Sequence, residues 1–335
     1  MKILVTGGAG FIGSNFIHYL LDKYPDYRIV NLDKLTYAGN LENLKAAEAN
    51  PNYEFVKGDI CDAELVNDLV RGVDAIVHFA AESHVDRSIL DASEFVRTNV
   101  IGTHTLLDAA VKAGNIRFHH VSTDEVFGAL GPEDEPFHEE TPYDPRSPYS
   151  SSKAASDHLV RAYFHTHRLP VTISNCSNNY GPYQFPEKLI PLFIARLKDG
   201  EKVPVYGDGQ QVRDWIHVKD HNRGVDLILH QGRMGETYCL GGENERTNLE
   251  ITQKLIELMG RDHSHIEHVK DRPGHDRRYA INISKIKNEL GWEPELDFEN
   301  GMKETVDWYL ENEQWWRNVM SGDYQKYYED QYIKR

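Results

Sequence analysis

The chain has 335 residues, 40% hydrophobic and 27% charged, the balance of a globular protein with a sizeable buried core. Lys and Arg number 37 against 53 Asp and Glu, a net charge of −16. That argues against nucleic-acid binding through a broad basic face but leaves room for an anionic small molecule held by local cations. No apolar run approaches the roughly 18 residues of a membrane span, and the few residues before Gly7 leave no room for a signal peptide. Cys61, Cys176 and Cys239 are too scattered for a metal site, so the expectation is a reduced, cytoplasmic protein.

In chain order, KILVTG (2–7), YRIVNLD (27–33), YEFVKGD (53–59), VDAIVHFAA (73–81), IRFHHVST (116–123) and VTISNC (171–176) are short runs rich in β-branched or aromatic residues. Each is separated from the next by enough chain for a helix. Repeated βαβ units predict an α/β fold, a Rossmann-type doubly wound parallel sheet covered on both faces. Two long helices are predicted at 91–113 and 148–168. After Gly181 the spacing turns irregular, with Pro and Gly at GPYQFPEK, VYGDGQ and DRPGHD. This predicts a division into residues 1–180, a cofactor-binding domain carrying the catalytic residues, and 181–335, a smaller mixed α/β substrate-binding domain packed tightly on the first. The aromatic tail from Gln314 onward is expected to pack on the body.

TGGAGFIG follows the first strand and opens a helix, so Gly7, Gly10 and Gly13 are placed to let main-chain N–H groups meet a pyrophosphate. The spacing is GxxGxxG, where the usual dinucleotide fingerprint is GxGxxG, and a glycine turn alone is often only structural. Asp33, twenty residues past Gly13, strengthens the case as an acceptor for an adenosine ribose, and its charge disfavours a 2′-phosphate even with Lys34 next to it. NAD is therefore expected over NADP. Asp59 could reach the adenine, or simply end a strand.

Tyr149 and Lys153 are four apart in SPYSSSKAASD. On a helix they share a face, where the ammonium would favour the phenolate and suit the tyrosine to act as a base. The spacing is common by chance, but here it follows a complete dinucleotide-binding half. Asp124 and Glu125, adjacent in STDEVFG at the end of the fifth strand, read either as one solvated turn or as two acids with separate roles. HVKDH and HDRR bring no ligands together at a known metal spacing.

TGGAGFIGSN, HFAAESHVDRS, VSTDEVFG, YSSSKA and NNYGPYQFPEKLIP resemble, nearly end to end, the extended short-chain dehydrogenase/reductase superfamily and, within it, the dTDP-glucose 4,6-dehydratases. The resemblance implies Tyr149 as the base at the sugar C4 hydroxyl with Thr123 helping, Lys153 supporting it, Glu125 as the base at C5, and Asp124 as the acid that protonates the departing C6 hydroxyl. It implies a bound, regenerated NAD contacting Gly7, Gly10, Phe11, Ile12, Gly13, Asp33, Lys34, Asp59, Ile60, Ala80, Ala81, Ser83, Asn99, Tyr149, Lys153 and Asn179. For the nucleotide sugar it implies His84, Thr123, Asn178, Lys188, Leu189, Pro204, Tyr206, Arg213, Asn248, Arg272 and His275. It also implies a homodimer formed through the two long helices and supply of a deoxy-sugar precursor for rhamnose. A 4-epimerase or decarboxylase on the same scaffold would share Tyr149 and Lys153 but is not expected to carry the acid pair. A non-catalytic NAD-binding regulator would not need either.

Overall fold

A computed structural model describes residues 1–271 and 274–320. Among them, seven parallel strands form the central sheet: β1 (Lys2–Thr6), β2 (Arg28–Asp33), β3 (Tyr53–Lys57), β4 (Ala75–His78), β5 (Arg117–Thr123), β6 (Val171–Cys176) and, separated from these by later elements, Thr237–Leu240. The spatial order is β3-β2-β1-β4-β5-β6 followed by the Thr237–Leu240 strand. All six strands expected from the sequence are present. The order reverses between β1 and β4, and in such sheets ligands bind beyond the carboxyl ends of the strands at that point.

The second half has three further strands before Thr237–Leu240: β7 (Asn178–Tyr180), β8 (Val203–Tyr206) and β9 (Val212–His217), which makes Thr237–Leu240 β10; β11 (Glu245–Thr247) and β12 (Ile266–Val269) follow. β9 pairs parallel with β7 and antiparallel with β11, while β8 pairs with β12. The chain does not divide simply at 180. β10 pairs with β6 in the central sheet, and the helix Val218–Gln231 packs against the helix Phe11–Lys23. β10 is completely buried, because the apolar edge of β6 needs a partner strand and the later chain supplies it.

The helix Pro148–His167 has a reciprocal cap, Ser147 and Ser150 each accepting from the other's main-chain N–H, with Pro148 in the first turn, and it ends at Arg168 with φ 57°. The other long helix differs from the expected 91–113: it runs Ser93–Lys112 and is π-helical over Val96–Gly102. There Gly102 lies against Ile60, where a Cβ would come within 2.4 Å of the Ile60 side chain. At the chain's end, Trp315 and Trp316 are buried, and Trp315 Nε1 donates to Asn43 Oδ1 at 2.8 Å. This start of the aromatic tail packs on the first half, as expected; residues 321–335 lie outside the described set.

Candidate active site

The turn after β1 is shaped for close main-chain approach. Gly7 has φ +73°, and a Cβ there would lie 2.6 Å from the Ala80 main chain; one on Gly13 would lie 2.3 Å from Gly7 O. Gly10 caps the helix Phe11–Lys23 with no side-chain hydrogen bond, so the first N–H groups of the helix face the cleft. At the end of β2, Asp33 accepts from Ala9 N (2.9 Å) and Leu35 N (2.8 Å), which fixes its carboxylate in the cleft wall. Burial raises its pKa, and those two N–H groups oppose the rise. Lys34 pairs with Asp59 at 3.0 Å, so its charge is spent on a neighbouring carboxylate and offers little to a 2′-phosphate. Arg97 meets Asp59 from the other side at 3.2 Å.

Gly7, Gly10, Phe11, Ile12, Gly13, Asp33, Lys34, Asp59, Ile60, Ala80, Ala81, Ser83, Tyr149, Lys153 and Asn179 line one cleft. Asn99 does not. It is buried behind the wall, where its amide bonds both main-chain groups of Glu82 and Ser152 Oγ, and that complete set of partners makes it a brace for the wall. The cleft fits a dinucleotide on a further count: Asn179 Oδ1 is buried with no hydrogen-bond partner among the described residues, an acceptor available to a carboxamide.

β5 delivers the acids. Thr123 ends the strand and caps the short 3₁₀ turn Asp124–Phe127, accepting from Glu125 N at 3.2 Å, and the turn closes at Gly128 with φ 96°. Asp124 is 2% exposed. One of its oxygens meets Thr123 Oγ1 at 3.2 Å, and the other has no partner among the described residues. Burial, then the charges of Glu125 and Asp214, push its pKa well above the usual carboxylate value, which favours the protonated acid. Glu125 is only half-buried and borders both clefts. Two adjacent carboxyls thus sit in different environments, which is how one turn can hold an acid and a base.

Tyr149 and Lys153 fall on one face of the helix Pro148–His167, but their electrostatics depart from expectation. Lys153 Nζ donates to Val121 O at 2.8 Å and lies 3.4 Å from His120 Nε2. Burial and then the Glu125 charge push the Tyr149 pKa well above the usual phenol value, opposed by the Thr123 hydroxyl. In the chain alone, therefore, Tyr149 is protonated: desolvation outweighs the neighbouring ammonium, which is turned toward β5. Lys153 itself is pushed down to about 8 by burial.

A second cleft opens from the first, and Ser83, Glu125, Asn178, Glu187 and Lys188 line both. It also holds His84, Leu189, Pro204, Tyr206, Arg213, Asn248 and His275. Lys188 and Thr247 precede the helices Leu189–Lys198 and Asn248–Leu258, whose N-termini favour anions. Arg213 is 5% exposed, donates to Val212 O and Asp276 O, and lies over the Tyr279 ring at 4.2 Å, a rigid mounting for a guanidinium. Arg272 lies outside the described residues. Sequence reasoning missed the Arg87–Glu187 pair (3.2 Å), the Tyr37 ring under Arg87 at 3.9 Å, and Asp214 beside Asp124. HVDRS and FPEKL contain Arg87 and Glu187, but nothing local signals a pairing across 100 residues.

The family model for GDP-mannose 4,6 dehydratase matches residues 4–305. A dTDP-glucose 4,6-dehydratase of Xanthomonas campestris pv. campestris is 54% identical over 96% of each chain. The crystal structure of the Streptomyces venezuelae dTDP-glucose 4,6-dehydratase with NAD bound is 54% identical, covers 95% of this chain and 100% of its own, and superposes with a TM-score of 0.93. The UDP-glucose 4-epimerase of Thermotoga maritima shares the fold at a TM-score of 0.86 over 93% of this chain and 99% of its own, but at 30% identity. With these relatives matched over nearly their whole length, and an acid pair beside the tyrosine and lysine, the chain belongs to the dTDP-glucose 4,6-dehydratase family of extended short-chain dehydrogenases/reductases.

Proposed function

We propose that the protein dehydrates dTDP-glucose to dTDP-4-keto-6-deoxyglucose, supplying a deoxy-sugar precursor such as that for rhamnose. The observation that carries this reading is the buried Asp124, its pKa pushed up by burial, next to the half-buried Glu125, both lining the same cleft as Tyr149. The C5 proton of a hexose becomes acidic only when C4 is a ketone, so oxidation precedes loss of water. Tyr149, once ionised, takes the C4 hydroxyl proton, with Thr123 holding that oxygen. Bound NAD supplies the hydride acceptor at C4 and the donor at C6. Glu125 removes the C5 proton, and Asp124 gives its proton to the C6 hydroxyl, which leaves as water. Glu125 then returns a proton to C5, and the proton gathered at Tyr149 balances the one Asp124 lost. Gly7, Gly10, Gly13, Asp33 and Asn179 hold the cofactor, while Asn178, Lys188, Arg213 and Asn248 hold the diphosphate, with Arg272 completing the set.

A homodimer is part of the same reading: Leu90 (71% exposed), Val96 and Ile101 place apolar side chains in solvent on and before the first long helix. No described helix is long and apolar enough to cross a membrane, and the three cysteines are free thiols, two of them buried, which supports a cytoplasmic setting.

Substrate deuterated at C4 tests the chemistry. The native protein should yield product labelled at C6. Glu125→Gln should oxidise C4 and accumulate reduced cofactor with little C5 exchange, whereas Asp124→Asn should retain C5 exchange and expel water slowly. Native-rate label transfer in both variants overturns the assignment.

A further inference from the structure

Tyr149, Lys153 and Asp157 stand at i, i+4 and i+8 of the helix Pro148–His167 and share one buried face. Asp157 is the deepest, with no solvent exposure. Its Oδ2 accepts from Ser122 Oγ at 2.9 Å, Tyr143 Oη at 2.8 Å and Asn175 Nδ2 at 3.3 Å. Its Oδ1 lies 3.2 Å from His120 Nε2, and the same nitrogen is 3.4 Å from Lys153 Nζ. A carboxylate with that many donors is held ionised, and a buried anion needs a cation nearby.

The groups facing Lys153 identify the pair. On its own helix are Tyr149 and Asp157; on β5, His120; on β6, Cys176; on β4, His78. Burial pushes His120 down to about 4 and His78 well below the usual imidazole range, so both rings are neutral. It pushes the Cys176 thiol up to about 12 and keeps Tyr149 protonated. Of these neighbours only Asp157 carries a charge at neutral pH, its pKa kept low against burial by His120, Lys153 and Ser122.

We propose that Asp157, one helical turn beyond Lys153 on the same buried face, is the buried counter-charge that keeps Lys153 an ammonium beneath Tyr149, and is therefore a positioning residue for the reaction. This rests on the reading in which Tyr149 and Lys153 serve the chemistry. Removing the anion leaves an uncompensated ammonium in a dry site, which sheds its proton at lower pH.

The test is the pH profile of kcat for the NAD-bound enzyme. In Asp157→Asn the alkaline limb should move down by at least about one pH unit, so that turnover at pH 8 falls roughly fivefold or more while turnover at pH 6.5 stays within about threefold of native. Tyr143→Phe removes a hydrogen bond to the same carboxylate but keeps its charge, and its alkaline limb should stay in place. An unmoved limb in Asp157→Asn, or an equal shift in Tyr143→Phe, overturns the proposal. If Asp157→Asn does not fold, Lys153→Met/Asp157→Asn should recover a folded protein by urea unfolding, because both buried charges are then gone. Failure to recover it also overturns the proposal. An active Tyr149→Phe would instead sink the underlying reading, so the two failures are distinguishable.

Discussion

In the cofactor cleft much of the recognition surface is main chain: a glycine turn, an open helix start and the carboxyl ends of β2 and β3, all laid down by residue 60. In the substrate cleft it is side chains drawn from helix starts and short strands between residues 83 and 279. The first kind of site fails when an atom is added, because the backbone cannot retreat; the second fails when a side chain is removed. Glu125 lies where the two meet, and Tyr149 lines the cofactor side next to it.

The largest expected effect is beside that junction. Tyr149→Phe deletes the group on which every later step depends, so turnover should fall roughly a hundred- to ten-thousand-fold, with the protein folded and NAD retained. Assay of C4 oxidation in a single turnover checks this. Near-native turnover would place the initiating base elsewhere.

Next come the glycines, which sharpen the comparison. Gly13→Ala forces a Cβ to 2.3 Å from Gly7 O, so the turn must shift. It should lose both cofactor and roughly 1 to 3 kcal/mol of stability by urea unfolding. At Gly10 the only near neighbour of a Cβ among the described residues is Gly7 O at 3.3 Å. Gly10→Ala should therefore keep its stability while NAD retention drops. Native-level NAD retention in both variants would mean that the cradle does not meet the cofactor.

The same contrast explains what the sequence made legible. The glycine turn, Asp33 and the Tyr149–Lys153 pair were readable because each is a local pattern next to a strand end or along one helix face. Lys188, Arg213 and Asn248, proposed for the substrate, came only through family resemblance, since nothing local separates them from surface polar residues; they line the second cleft, and Arg213 is 5% exposed. Tyr149's raised pKa was not readable, because it depends on the burial of a side chain under Glu125 and on where the Lys153 ammonium turns. Asn99 was misplaced for a related reason. Sequence locates it on a helix beside the cleft but does not say which way its amide faces, and Glu82 and Ser152 take it inward. The junction at β10 was missed because strand order is set by which later segment covers an apolar edge.

On the substrate side, Arg213→Ala should weaken binding of the nucleotide sugar, and of the free nucleoside diphosphate, by roughly 1.5 to 3 kcal/mol, the scale of one charged hydrogen-bonding group. Calorimetric titration reads both ligands, and NAD content should be unchanged. Loss of NAD along with the diphosphate would break the separation of the two clefts.

The smallest effect tests whether the acid at the junction is held against its own preference. Burial pushes the Asp124 pKa up in the folded protein and favours its protonated form, whereas in the unfolded chain it ionises at about 4. Below that pH both states carry the proton and the group is neutral to stability. As pH rises through it, the unfolded state gains from ionisation and the native state does not, so Asp124 costs stability from about pH 4 upward until its own raised pKa is reached. Asn cannot ionise in either state, and Asp124→Asn should be more stable than the native protein at pH 7 by roughly 0.5 to 2 kcal/mol, the size of gain seen when a site held for function is relaxed. Urea unfolding at pH 7 and near pH 3.5 should show the gain at the first and its disappearance at the second. A variant no more stable than native at pH 7 would mean that Asp124 is ionised in the fold, and the division into acid and base along one turn would fail with it.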